Sequence, residues 1–576
     1  MNIYTAGIFI SLAVYIAIGN YAGRKVRHLE DYFVAGRRAP TLLILGTLIA
    51  SVNSTGIFIG EVGFSYSGYL GMMILGLPLT SIGYVLGAVY FGRFLRRSRS
   101  LTVAEYFGKR FASQRVRTAA AVTLIVGLGG YLMVVTHGVA LVLDQVMGLP
   151  HWQSLCLAWV GYTLFTFYAG SRGVVITDTI MFLLFTFVAF VALYYIVDLA
   201  GGWFSAIDSM ATLDSRPELM SWHGLTGPGA EWASPLEAFV WYTTLSFAWG
   251  IVAAVSPWQS SRYLMAKDEH VVIRSACLAT VTLIVLQHVV YFVGGAITLG
   301  NDAIEPPDEA IMWAAFNMMP ALIGALLLAG VLAAGLSSAS TFLSLIGFSV
   351  SYDLGEHGQR DDRQMLQLSR TLMIGVGIVA LAIALLTPPN IFWITWFVAT
   401  VFASSWGPVA LLSVWSDRVT TAGAFWGIVS GFLGNVLSKL LDVLGVVHLP
   451  GYFDPVFIGA VLSLVTIWLV SRRGEVPASS RTHRQKMHEV PAEDLDPRRT
   501  RNTLRAAKLL IAYGIFSPVM LLTLYVRPYH EAAGRLAPGQ LLDWSSLDTL
   551  LPLCGGTVIF ITGLVSHRAV KRAYAG

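Results

Sequence analysis

The chain has 576 residues, 55% hydrophobic and 12% charged, about half the charged share of a soluble domain, which argues against a water-soluble fold. Thirty-eight Lys and Arg against 33 Asp and Glu give a formal charge of +5. The basic residues sit in short loops between apolar runs, which argues for a lipid bilayer and against a nucleic acid as partner. Cys156, Cys277 and Cys554 each lie in or beside an apolar run, so a disulfide framework is not expected.

A helix needs about 20 apolar residues to cross a hydrocarbon core of roughly 30 Å. Such runs predict fifteen helices, α1 to α15, near 4–22, 41–67, 70–92, 118–147, 152–169, 175–200, 237–261, 275–299, 309–350, 371–387, 390–414, 421–442, 453–471, 507–526 and 548–567. The first, IYTAGIFISLAVYIAIG, has no basic residue before it and GRKVRHLEDYFVAGRR after it. This is the reverse of a cleavable signal peptide and predicts an outer N-terminus in a cell-membrane protein. Alternation from there puts 34 of the 38 basic residues on the cytoplasmic side, including the loop Arg360 to Arg370, and leaves Arg216, Lys439, Arg527 and Arg535. The C-terminus is then cytoplasmic.

After the flanking segment 1–40, α2–α6 fill 41–200, an extracellular loop spans 201–236, and α7–α11 fill 237–414. Each group has an odd number of helices, so the second lies inverted relative to the first. Helices α12 and α13 follow in 415–471. The segment 472–506 is charged and poor in aliphatic residues, which predicts a flexible cytoplasmic linker to α14, α15 and the tail in 507–576.

Both lead helices carry polar interruptions. In α2, LLILGTLIASVNSTGIFIGEVGF places Ser51, Asn53, Ser54, Thr55 and Gly56 at the centre. In α7, FVWYTTLSFAWGIVAAVSPWQSSRYL contains Gly250 and Ser256-Pro257, and a proline removes one helix hydrogen bond and blocks another. Transporters free backbone groups at such matched breaks; small-residue packing around a kink is the second reading. In α9, AAGLSSASTF sets Ser337, Ser338, Ser340 and Thr341 within five residues. These hydroxyls either bond to carbonyls one turn back or join freed carbonyls around sodium, a hard cation that takes several oxygens.

Six ordered segments, DYFVAGRR, AEYFGKRF, VVITD, SRYLMAKDEH, AAGLSSASTF and FASSWGPVALLSVWSDRVTTAGAFWG, resemble the sodium:solute symporter family over residues 1 to about 471. That family includes bacterial sodium/proline and sodium/sialic acid transporters and the sodium/glucose cotransporters. The resemblance implies an all-α polytopic membrane protein with a five-plus-five inverted-repeat, LeuT-like fold, and solute import driven by Na+. It implies a main sodium site at the carbonyls of Ser51, Ser54 and Ala334 and the hydroxyls of Ser337 and Ser338. A second site, found in some members, would use Asp178, Ser337, Ser340 and Thr341. Trp249 and Pro257 keep the spacing of the proline branch, and Tyr131 matches one of its substrate-facing tyrosines. Asn53 stands where that branch has Asp, and α14 and α15 lie beyond its pattern.

No Lys or Arg is predicted at mid-membrane. A solute carboxylate would therefore be held by helix-end N–H groups and hydroxyls, with Asn53, Thr55, Gly56, Tyr131, Trp249 and Pro257 as substrate residues. This favours a small amino acid or monocarboxylate. Glu61 with Trp249 and Tyr131 would also suit a quaternary amine such as betaine or choline. No cluster of amides and acids is seen on α2, α3 and α7, which argues against sugars. His137 and His288 are expected to be hydrogen-bonded packing residues. No HExxH or GxSxG motif points to an enzyme; a membrane sensor and a uniporter stay open.

Overall fold

The computed structural model describes residues 2–24, 26–355, 361–388 and 391–574. Lys25, Arg360, the first residue of predicted α11 and the last two of the tail lie outside the described residues. Among the described residues the only extended pairing is one bridge, Ala39 to Ala266; everything else regular is helical. Inside a bilayer the backbone has no water to bond, so a polytopic apolar chain satisfies its N–H and C=O groups within helices. Local signals set the ends. Asp268 caps α8 and Thr420 caps α12, while Asp361 and Gln364 form a capping box on α10.

Among the described residues, twelve helices are long and apolar enough to cross a membrane, and Thr41–Val52 and Pro455–Ser471 are shorter apolar helices. The predicted α5 and α6 form one run, His151–Leu199, divided only at Gly170. There φ is +50° and ψ −148°, and a Cβ would lie 2.6 Å from the Tyr32 carbonyl oxygen, so only glycine fits. The run predicted for α9 is two helices, Ala310–Asn317 and Ala321–Phe348, separated at Pro320.

The segment predicted to be a flexible linker is instead docked. Its helix Ala478–His488 lies against Val103–Arg110. Arg110 donates to the Ser480 hydroxyl at 2.6 Å, and Arg97 donates to the Met487 carbonyl at 2.7 Å. Charge predicted solvation, but a hydroxyl and a carbonyl of the linker accept bonds from arginines of the folded body. Helices α14 and α15 then pack on each other and against α8 and α3. They also hold the 201–236 loop: Tyr525 donates to the Met220 carbonyl at 2.9 Å, and Asp548 accepts from the Trp222 N–H at 2.7 Å.

Candidate solute and sodium site

Helix α2 is regular to Val52 and resumes in wide turns from Gly56 to Glu61; between them Asn53 leaves the helical region at φ −76°, ψ 80°. Polar side chains make the gap by competing for the backbone. The Asn53 amide donates to the Ile49 carbonyl at 2.9 Å, and the Ser54 hydroxyl accepts the Gly56 N–H at 3.0 Å. Helix α7 ends at Val255, Ser256 is extended at ψ 148°, and Pro257 opens a second segment to Met265. Two glycines let neighbours close on the α2 gap. A Cβ on Gly138 of α4 would come within 2.3 Å of Thr55, and one on Gly335 of α9 within 2.7 Å.

The hydroxyls of α9 divide between two surroundings. Ser338 donates across to the Ala50 carbonyl of α2 at 3.4 Å. Ser337 donates to Asp178 Oδ1 at 2.7 Å, and Thr47 donates to Oδ2 at 2.5 Å. Arg262 also reaches Asp178 Oδ2, at 3.4 Å, and donates to the Thr341 hydroxyl. All are buried. Ser340 donates to the Ser337 carbonyl of its own helix at 2.8 Å.

This corrects the expectation that no basic side chain lies at that depth. The apolar run predicted for α7 stops at 261 and leaves Arg262 in a loop, but the helix restarts at Pro257 and carries Arg262 inward. Arg172, six residues before Asp178 in the chain, pairs with Asp31 at 3.6 Å.

A narrow cavity lies against both breaks. Gly56 and Glu61 of α2 line it, as do Trp249, Trp258 and Gln259 of α7 and Gln287 and Tyr291 of α8. Glu61 is its one lining Asp, Glu, Lys or Arg among the described residues, and accepts from the Tyr291 hydroxyl at 2.5 Å. Around the cavity, Asn53 Oδ1, Ser256 Oγ, Trp258 Nε1, Gln259 Oε1, Gln287 Oε1 and Thr395 Oγ1 are buried without a protein partner. Each such group costs about 1–3 kcal/mol, so their concentration here marks a place where water or solute bonds. Next to the lining residue Phe392, Phe64 stacks between that ring and Tyr69, with centroids 4.4 and 4.5 Å away.

Of the predicted substrate residues, Gly56 and Trp249 line this cavity. Asn53, Thr55 and Pro257 sit behind its wall, with the Thr55 hydroxyl 3.5 Å from the Val135 carbonyl. Tyr131 packs behind the floor, 5.5 Å from the Trp258 ring and 4.5 Å from Phe342. The acid and amides expected to be absent do converge, as Glu61, Gln259 and Gln287. The latter two are single amides within apolar runs, a pattern that carries no functional signal by itself. His137 bonds to His151 at 3.0 Å, and His288 lies between the Ile284 and Ile74 carbonyls at 2.7 and 3.1 Å.

Two opposed broken helices beside a central cavity, all within a helical bundle, define a secondary transporter. The sodium:solute symporter family profile matches residues 32–431, and the chain belongs to that family. It is 24% identical over 478 residues to the sodium/pantothenate symporter of Escherichia coli K12, covering 80% of this chain and 95% of that one. To the sodium/proline symporter of the same organism it is 22% identical over 503 residues, covering 82% and 94%. In fold it matches a Na+-coupled sialic acid symporter in a substrate-bound outward-open state, with a TM-score of 0.70, 18% identity, and 83% and 99% coverage. Mhp1, a nucleobase-cation-symport-1 family transporter, matches at 0.53 and 11% identity, covering 79% and 98%. The protein is a multi-pass, sodium-coupled solute symporter with a LeuT-like fold.

Proposed function

We propose that this symporter imports a small zwitterionic amino acid, bound with its ammonium toward Glu61 and its carboxylate toward the side-chain amides of Gln259 and Gln287. The observation that carries this reading is a cavity lined by one carboxylate and four residues with orphaned polar atoms, Trp258, Gln259, Gln287 and Thr395. A buried charge at membrane depth is costly until paired, so Glu61 favours a solute bearing a cation and disfavours a simple anion. The aromatic wall of Trp249, Tyr242 and Trp396 adds cation-π attraction.

In this reading the coupling sodium binds the carbonyls of Ser51, Ser54 and Ala334 and the hydroxyls of Ser337 and Ser338. The closeness of Ser338 to the α2 backbone supports it. An ion held between α2 and α9 fixes the residues just before Gly56, which edges the cavity, so sodium and solute each favour the other's site. The repeats are 41–200 and 237–414, with the N-terminus outside and the C-terminus cytoplasmic.

The test is stabilisation of the purified protein by L-proline, glycine betaine, pantothenate and glucose, each with sodium and with potassium. Stabilisation by the zwitterion proline only in sodium is expected. Stabilisation by pantothenate or glucose alone would overturn the amino-acid assignment, and one by betaine alone would move it to quaternary amines.

A further inference from the structure

Arg262 binds neither the solute nor the coupling sodium in the proposed function. The residues implied for a second sodium ion are Asp178, Ser337, Ser340 and Thr341, and each already has a hydrogen-bond partner in the protein. Asp178 accepts from Thr47 and Ser337, Thr341 accepts from Arg262, and Ser340 turns to its own helix. One carboxylate in a buried cage of neutral oxygens calls for one positive charge, and the guanidinium 3.4 Å from Asp178 Oδ2 supplies it.

We propose that Arg262 is a tethered cation standing in the second cation position, so that the protein binds one sodium ion. Arginine stays protonated in proteins, so the charge is permanent. A sodium ion on the Asp178 carboxylate would sit beside this guanidinium among fully buried side chains, where two positive charges repel strongly. The contact geometry is that of an ion. Nη2 alone touches both Asp178 and Thr341, and Nε has no partner, whereas a structural arginine–carboxylate pair typically engages as a two-bond fork. Because Arg262 is carried by the segment after the α7 break, it joins α7 to α6 and α9 without an ion between them.

The inference rests on the main sodium site of the proposed function, and the test separates the two. Radioactive sodium is bound at equilibrium to the purified full chain with no solute present. Wild type is expected to saturate at one ion per chain, and so is Arg262→Lys. Arg262→Gln, which leaves Asp178 without its cation, should saturate at two. Adding Asp178→Asn to it should return the count to one. Two ions on wild type, or one on Arg262→Gln, would overturn the tethered cation while leaving the main site standing. Loss of binding in both Arg262→Gln and the double variant would make the pair a structural brace and overturn it as well. No binding by wild type would remove the main site and this proposal together.

Discussion

Two faces of α9 carry hydroxyls, and they meet opposite surroundings. Ser338 looks across to a neutral carbonyl at a gap in α2, whereas Ser337 and Thr341 look to a buried carboxylate and guanidinium. Adjacent residues on a helix point about 100° apart, so one strand of sequence serves both. A cage of neutral oxygens can release a cation without stranding a charge. A cage built on a carboxylate cannot, since departure leaves a buried ion that costs several kcal/mol. The comparison separates a face suited to reversible coupling from a face suited to a cation that never leaves.

The largest expected effect attacks the charged face. Arg262→Ala in sodium-free medium should lose about 3–5 kcal/mol of stability, because it leaves Asp178 buried and unpaired. Adding Asp178→Asn should recover most of the loss, and so should sodium. Thermal unfolding in detergent measures all three, and a variant as stable as wild type without sodium would end the distinction between the faces.

On the neutral face, Ser338→Ala removes an oxygen without unbalancing charge. The sodium concentration for half-maximal uptake should rise about tenfold, the equivalent of 1–2 kcal/mol, with the melting temperature nearly unchanged. Ser337→Ala should move both quantities, since its hydroxyl also serves Asp178. Identical behaviour of the two variants would erase the division. Across the cavity, Glu61→Gln should weaken proline binding about tenfold and leave solute-free sodium binding as it was; equal losses in both would return Glu61 to a structural role.

Much of the bundle was legible because a membrane helix is written in length and apolarity, and those survive without knowledge of neighbours. The breaks in α2 and α7 were legible because Asn53, Ser54 and Pro257 act on their own backbone. Arg262 was not. A charge at the end of an apolar run reads as a loop residue, and only the restart at Pro257 and the distant Asp178 make it an interior one. Gln259 and Gln287 escaped a role for a related reason, since one amide per helix gains meaning only when three helices bring such groups to one cavity. The docked helix Ala478–His488 was missed because its partners, Arg97 and Arg110, are equally polar, and composition alone does not distinguish a solvated charge from one bonded to a carbonyl.

The smallest expected effect is the sharpest test of the division. Ser340 lies on the same turn as Ser337 and Thr341, and a second sodium ion would draw on all three. In the structure its hydroxyl donates to the Ser337 carbonyl at 2.8 Å, within the helix. Such a bond duplicates a group that the helix ladder already satisfies, so losing it costs little. Ser340→Ala should therefore change stability by less than about 0.5 kcal/mol and leave both the sodium count and the half-maximal sodium concentration at wild-type values. The same substitution in the Arg262→Gln background is the informative partner. There a sodium ion beside Asp178 would use the Ser340 oxygen, and removing it should weaken the second ion alone. A fall in sodium affinity caused by Ser340→Ala in the otherwise wild-type chain would mean that an ion already occupies the charged face, and that Arg262 shares the position instead of filling it.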